Sequence, residues 1–137
     1  MKPAKLLLRR GDWEKMRRHV RRCSPLEACG LLAGTGAQVE LVIGVPNADR
    51  SPVRFTMDPR AQWRAFQRFE RQGLELLAIY HSHPRGPADP SPTDHAEAAY
   101  SVVQVIWAPL EGKWQGRGFW IAGGTVQDVT LEIQKTE

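Results

Sequence analysis

The fold class predicted for this chain is α/β, a single domain in which helices cover both sides of a β-sheet. Three observations predict it. Short apolar runs bounded by glycine and proline are too brief for helices and read as buried strands, as in Leu74 to Tyr80 between Gly73 and Pro84. Two longer stretches carry helical stripes with clear start and stop residues. These elements alternate in the order helix, strands, helix, strand, short helix, strands. A length of 137 residues with 42% hydrophobic content suits one domain spanning residues 1–137, large enough to fold without disulfides or a structural metal.

Taken in order, Lys5 to Arg9 reads as the first strand, with Gly11 as the break before a helix. Asp12 is the expected N-cap, and Trp13, Met16 and Val20 form an apolar stripe at i, i+3 and i+7. The opposite face carries Lys15, Arg17, Arg18, Arg21 and Arg22, a run explained by a solvated surface and equally suited to an acidic partner. Ser24-Pro25 ends this helix, and the chain enters a strand on which Glu27, Cys29 and Leu31 share one face. A carboxylate entering a buried strand demands a partner. Cys29 is expected to be a buried free thiol acting as a small apolar residue, because reactive thiols need an exposed electropositive setting.

Gly34-Thr-Gly36 predicts a turn, Val39 to Val45 a hairpin strand, Pro46 to Val53 a loop, and Arg54-Phe-Thr56 a short strand. The second helix has Asp58 as N-cap, Pro59 first and Gly73 just past its end, with Trp63, Ala65, Phe66 and Phe69 as its apolar side. A short helix is expected from Pro92 to Ala99. Ser101 to Trp107 and Gly116 to Ala122 read as strands around a Pro109–Gln115 turn, and Val126 to Ile133 as a last, alternating strand.

The amino end offers only Leu6-Leu-Leu8 before two arginines, far short of a signal peptide, and no run approaches membrane-spanning length, so a cytoplasmic protein without a membrane partner is expected. Cys23 and Cys29 do not make a disulfide framework. The net charge of +4 is uneven: residues 1 to 22 hold nine Lys or Arg against two acids, and the remainder is mildly acidic. That distribution argues against a nucleic-acid groove and leaves at most a local basic patch.

The candidate chemistry lies between His81 and Asp94. Strand side chains alternate, so His81 and His83 project from one face at a strand end and can converge on one ion, while Ser82 points the other way. Prolines at 84, 87, 90 and 92 stiffen the loop that brings Ser91 and Asp94 back towards them. Two imidazoles and a carboxylate leave a tetrahedral zinc one open position, the pattern of a catalytic site. Ser91-Pro-Thr-Asp94 is also a sound helix start, with Ser91 as N-cap and Asp94 closing a capping box. The readings are compatible, because a carboxylate can touch both an amide and a metal. His95, one step further on, points elsewhere on a helix and has a surface or supporting role.

His81-x-His83-Pro84, six residues, then Ser91-x-x-Asp94 resembles the signature of the JAMM (MPN-plus) metalloproteases. Pro25-Leu-Glu27-Ala-Cys-Gly30-Leu-Leu-Ala-Gly34 is similar to the glutamate-bearing segment of small bacterial members. The resemblance implies a JAB/MPN, cytidine-deaminase-like architecture with a curved mixed sheet, and one Zn²⁺ held by His81, His83 and Asp94. It further implies Glu27 as the general base and Ser91 as an oxyanion donor. The implied reaction is hydrolysis of the peptide or isopeptide bond after the C-terminal glycine of a ubiquitin-like or sulfur-carrier protein, whose Gly-Gly tail could lie along a sheet edge. There is little room between Glu40 and Phe55, or between Ala99 and Trp120, for insertions that grip a ubiquitin chain. The rivals are a metallopeptidase for small or cell-wall peptides, a RadC-type protein, and a non-catalytic MPN scaffold. The oligomeric state, including a homodimer, stays open.

Overall fold

The structure, a computed structural model, describes residues 2–92, 94 and 101–135. Most of the expected 92–99 helix and His95 lie outside the described residues. Strand β1 (Lys5–Arg9) buries Leu6 and Leu8 by simple alternation and runs directly into helix α1 (Arg10–Cys23). Gly11 is therefore not a break, nor is Asp12 the cap. The extended Arg9 takes the N-cap position without a side-chain bond, and Asp12 falls in the first turn, where a negative charge suits the helix dipole. Trp13, Met16 and Val20 are buried as the stripe requires.

Strands β2 (Cys29–Thr35) and β3 (Gln38–Val45) form a hairpin about Gly36, whose φ of +63° suits glycine. The 46–58 loop contains an isolated bridge, Asn47 to Met57, in place of the expected 54–56 strand. Its backbone groups are taken by one side chain. Asn47 Nδ2 donates to the Arg54 carbonyl at 3.0 Å, and its Oδ1 accepts from Asp49 and Thr56 N–H at 3.0 and 3.1 Å.

Helix α2 (Pro59–Arg71) begins as expected, with Asp58 accepting from the Arg60 and Ala61 amides, and Gly73 past its end has a φ of +69°. Ala65 and Phe69 are buried, but Trp63 is 61% exposed. At 100° per residue it sits roughly 115° round from the centre of the Ala65, Phe66, Phe69 stripe, beyond the sheet's reach. Strand β4 (Glu75–Ser82) extends through the first histidine. Strands β5 (Val103–Leu110) and β6 (Lys113–Ala122) turn on Glu111-Gly112 alone, both at positive φ as a two-residue hairpin requires. The longer turn expected from Pro109 is absent. β5 pairs with β4 only as far as Trp107, so Pro109 lies where one side of the strand needs no donor. Gly123-Gly124 makes the next turn, into β7 (Thr125–Gln134).

The sheet is mixed, with parallel β4–β5, β1–β3 and β1–β7 pairs among antiparallel ones. Its curvature exceeds the expectation: β1 pairs with both β3 and β7, closing the order β1-β3-β2-β4-β5-β6-β7 into a barrel. The two helices serve opposite faces, as predicted. α1 packs with Leu32, Ala78, Tyr80 and Trp107, and α2 with Leu31, Ala33 and Ile79. Among the described residues, no helix is long and apolar enough to cross a membrane.

Gly30 reports how tightly β2 meets β4. A Cβ there would stand 2.2 Å from the Tyr80 ring and 2.6 Å from the Ile43 carbonyl. Gly30→Ala is expected to cost about 1–3 kcal/mol of stability by overpacking, read from the urea midpoint, and a wild-type midpoint would contradict this packing.

Candidate metal centre

The site is assembled at the end of β4. Because β4 runs antiparallel to β2 with His81 opposite Cys29, the His81 ring lies on the α2 face, stacked on Phe55 with centroids 4.7 Å apart and 1% exposed. His83 follows just past the strand, where its backbone N–H donates to the Trp107 carbonyl at 2.7 Å. Its Nδ1 donates to the Pro87 carbonyl at 2.8 Å, so the proline-rich loop sets the ring's orientation. On the loop's far side, Arg117 of β6 donates to Asp89 at 2.6 Å while lying over the Phe119 ring.

Asp94 arrives through the capping box. The Ser91 amide donates to its Oδ2 at 2.8 Å, and the Asp94 amide donates to Ser91 Oγ at 3.1 Å. The same carboxylate reaches both imidazoles, Oδ1 to His81 Nε2 at 3.1 Å and Oδ2 to His83 Nε2 at 3.0 Å, and the two Nε2 atoms are 3.2 Å apart. The capping carboxylate is thus the same group that meets both histidines.

These separations test whether a cation fits. Donors bound at about 2.0–2.1 Å around one tetrahedral ion stand about 3.3 Å apart. Here the two Nε2 atoms are 3.2 Å apart, each meets a different oxygen of Asp94, and one ligand atom from each residue lies within 4.8 Å of the others, near enough to share one ion. The chemistry agrees. With its Nδ1 hydrogen given to Pro87, a neutral His83 turns a lone pair towards Asp94 and His81, and only a proton or a metal ion reconciles electron pairs converging in this way. Burial opposes charge on Asp94, but hydrogen bonds to His81 and His83 and the Ser91 amide outweigh it and hold the carboxyl far below its usual range. Burial likewise disfavours a charged His83, yet the Asp94 bond, the Pro87 carbonyl and the Asp94 and Glu27 charges raise its pKa.

Glu27 sits two residues before β2, 4% exposed, and lines a cavity of about 230 Å³ with His83, Ser91, Val53 and the 85–90 loop. All five predicted site residues therefore meet, although Glu27 lies ahead of the strand that was expected to carry it. Cys29 stands beside His81 in register, but its thiol donates to the Val45 carbonyl at 3.3 Å, and burial pushes its pKa up to about 12. It behaves as the expected inert thiol.

Two residues were missed. Ser82, on the face away from the ligands, accepts the Ala28 N–H on its Oγ at 2.8 Å, and its own N–H donates to the Ala28 carbonyl at 3.0 Å. Asn47 Nδ2 also donates to the Glu27 carbonyl at 3.1 Å, and the Glu27 N–H donates to Ser51 at 2.8 Å. Together they hold the glutamate segment against the histidine strand. The signal in the sequence was a serine inside an apolar strand, since buried polar groups find partners.

Residues 10–132 match the family model described as prokaryotic homologs of the JAB domain. A probable TtuB-protein conjugate cleaving protease of Thermus thermophilus is 48% identical over 103 residues, 74% of this chain and 69% of that protein. A desampylase of Pyrococcus furiosus is 39% identical over 71 residues, about half of each chain at 52% and 51%. A CysO-cysteine peptidase of Mycobacterium tuberculosis is 40% identical over 78 residues, 56% of this chain and 53% of that one. Among solved structures, a Desulfitobacterium hafniense protein superposes with a TM-score of 0.86 at 34% identity, covering 96% of this chain and 94% of that one. A JAB1/MPN domain protein from Archaeoglobus fulgidus gives 0.63 at 18% identity, covering 96% and 100%, a likeness of fold.

Two outcomes are expected. The chain binds one divalent ion, and Asp94→Ala or His81→Ala abolishes that binding, as measured by elemental analysis after dialysis. Ser82→Ala, which strands the buried Ala28 amide, costs about 1–3 kcal/mol by chemical denaturation.

Proposed function

The chain belongs to the prokaryotic homologs of the JAB domain, and from that membership we propose that it is a zinc-dependent metallopeptidase of ubiquitin-like or sulfur-carrier proteins. It hydrolyses the peptide or isopeptide bond that follows their C-terminal glycine. The observation that carries this reading is the convergence of His81 and Asp94 on His83, which itself lines a cavity shared with buried Glu27 and Ser91. Relatives named for cleaving TtuB conjugates and for peptidase action on CysO-cysteine support the substrate class.

The residues divide the work. His81, His83 and Asp94 would hold the zinc, which would supply Lewis acidity and lower the pKa of a water from about 16 to about 7. Glu27, held by Asn47 and Ser51 through its backbone, takes the proton from the attacking water and delivers one to the leaving amine. The Ser91 oxygen already accepts the Asp94 amide, which leaves its own hydrogen to donate to the developing oxyanion. His83, oriented by Pro87, and Asp94, kept ionised, would turn electron pairs to the metal, which would displace the proton that Asp94 otherwise favours on His83. Pro52 and Val53 on one side and Arg85 to Pro90 on the other wall a slot for an extended tail.

The test is a sulfur-carrier protein with a Gly-Gly tail extended by a reporter peptide, incubated with and without chelator. Cleavage after the second glycine that stops with chelator and returns with Zn²⁺ is expected, and its absence would remove this substrate class. Glu27→Gln is expected to keep the metal and lose about 10²- to 10⁴-fold in rate. Undiminished turnover would take Glu27 out of the mechanism.

A further inference from the structure

One cluster of the molecule is not used by this chemistry. Lys15, Arg18, His19 and Arg22 recur at three- and four-residue spacings and so fall on one face of α1, where they line a cleft of about 450 Å³ against β3. The cleft is built rather than incidental. Lys15 Nζ donates to the Val42 carbonyl at 2.8 Å, and His19 Nδ1 meets the buried Tyr80 hydroxyl at 2.6 Å. The His19 ring lies against Gly44, where a Cβ would come within 2.9 Å of it. Elsewhere on the helix Arg17 is neutralised by Glu14 at 2.6 Å, but among the described residues no carboxylate pairs with Lys15, Arg18 or Arg22, and none lines the cleft. Like charges so placed repel and focus a positive potential in a concavity, a cost that an anionic ligand relieves. Burial and then the charges of Arg22 and Lys15 lower the His19 pKa, as that potential requires.

The cleft also has a direction. His19, Val45 and Pro46 line both it and an adjoining hollow lined in part by Glu27, so the groove runs from the basic face to the segment that carries the proposed base. We propose that this cleft docks an acidic surface of the protein substrate, holding the globular body while its C-terminal tail enters the metal site. The inference rests on the proposed function and adds the charge that a preferred substrate must present. A ligand gripped here and cut beyond Glu27 is large, which favours a folded acidic protein over a free oxoanion.

The experiment uses the zinc-loaded full chain and two substrates: an acidic ubiquitin-like protein with its Gly-Gly tail extended by a reporter, and a short peptide carrying the same junction. In R18E/R22E, KM for the protein substrate is expected to rise about tenfold, with kcat within about twofold and a loss at least about fivefold smaller on the peptide. R18K/R22K, which keeps the charges, stays near wild type. In metal-free protein, titration with the tail-processed ubiquitin-like protein gives a Kd that weakens by a similar factor in R18E/R22E and with rising salt. Unchanged KM and Kd, equal losses on both substrates, no measurable binding to wild type, or displacement by inorganic phosphate alone at a few Kd of phosphate would each overturn the docking site. Failure of the wild type to cleave either substrate would instead overturn the proposed reaction, with the titration still reporting on the cleft.

Discussion

The constraint on which the rest of this structure depends is the forced approach of three electron-pair donors at the end of β4. His81 is fixed by strand register, His83 by the Pro87 carbonyl, and Asp94 by its own capping box. None can retreat without breaking a bond that belongs to the fold. The three side chains are thus brought together by the backbone alone, an arrangement that suits a cation and lowers the reorganisation cost of binding one.

A metal site becomes hydrolytic only with a base beside it, and the carboxylate proposed for that role comes from a distant part of the chain. Glu27 lies more than fifty residues before His81, yet the Ser82–Ala28 pair of hydrogen bonds clamps the two segments together, and Asn47 ties the same segment to the 46–58 loop. That loop also supplies Phe55 to the back of His81 and Val53 to the cavity. One asparagine side chain thus links Glu27, the loop that packs Phe55 on His81, and the wall of the cavity.

The barrel supplies the stiffness these contacts need. β1 stitches β3 to β7 and closes the sheet, while β2 and β4 are each paired on both sides, by β3 and β5 as well as by one another. Close packing at Gly30 against Tyr80 sets the spacing between those strands, and Tyr80 in turn meets His19 at the basic cleft. The cation site and the cleft are thereby carried by adjacent residues of β4 that point to opposite faces.

What the sequence determined by itself was chemistry that acts over a few residues: two histidines at period two, a capping box whose carboxylate also meets them, Asp58-Pro59 opening a helix, and a thiol too enclosed to react. Each follows from bonds within one turn or one strand. The barrel's closure, the loop wound about Asn47, the exposure of Trp63, the clamp at Ser82 and the cleft over Gly44 were decided only by the tertiary structure. Those depend on partners far apart in the chain, whose meeting is fixed by strand register and packing; no local propensity encodes which surfaces those will bring face to face.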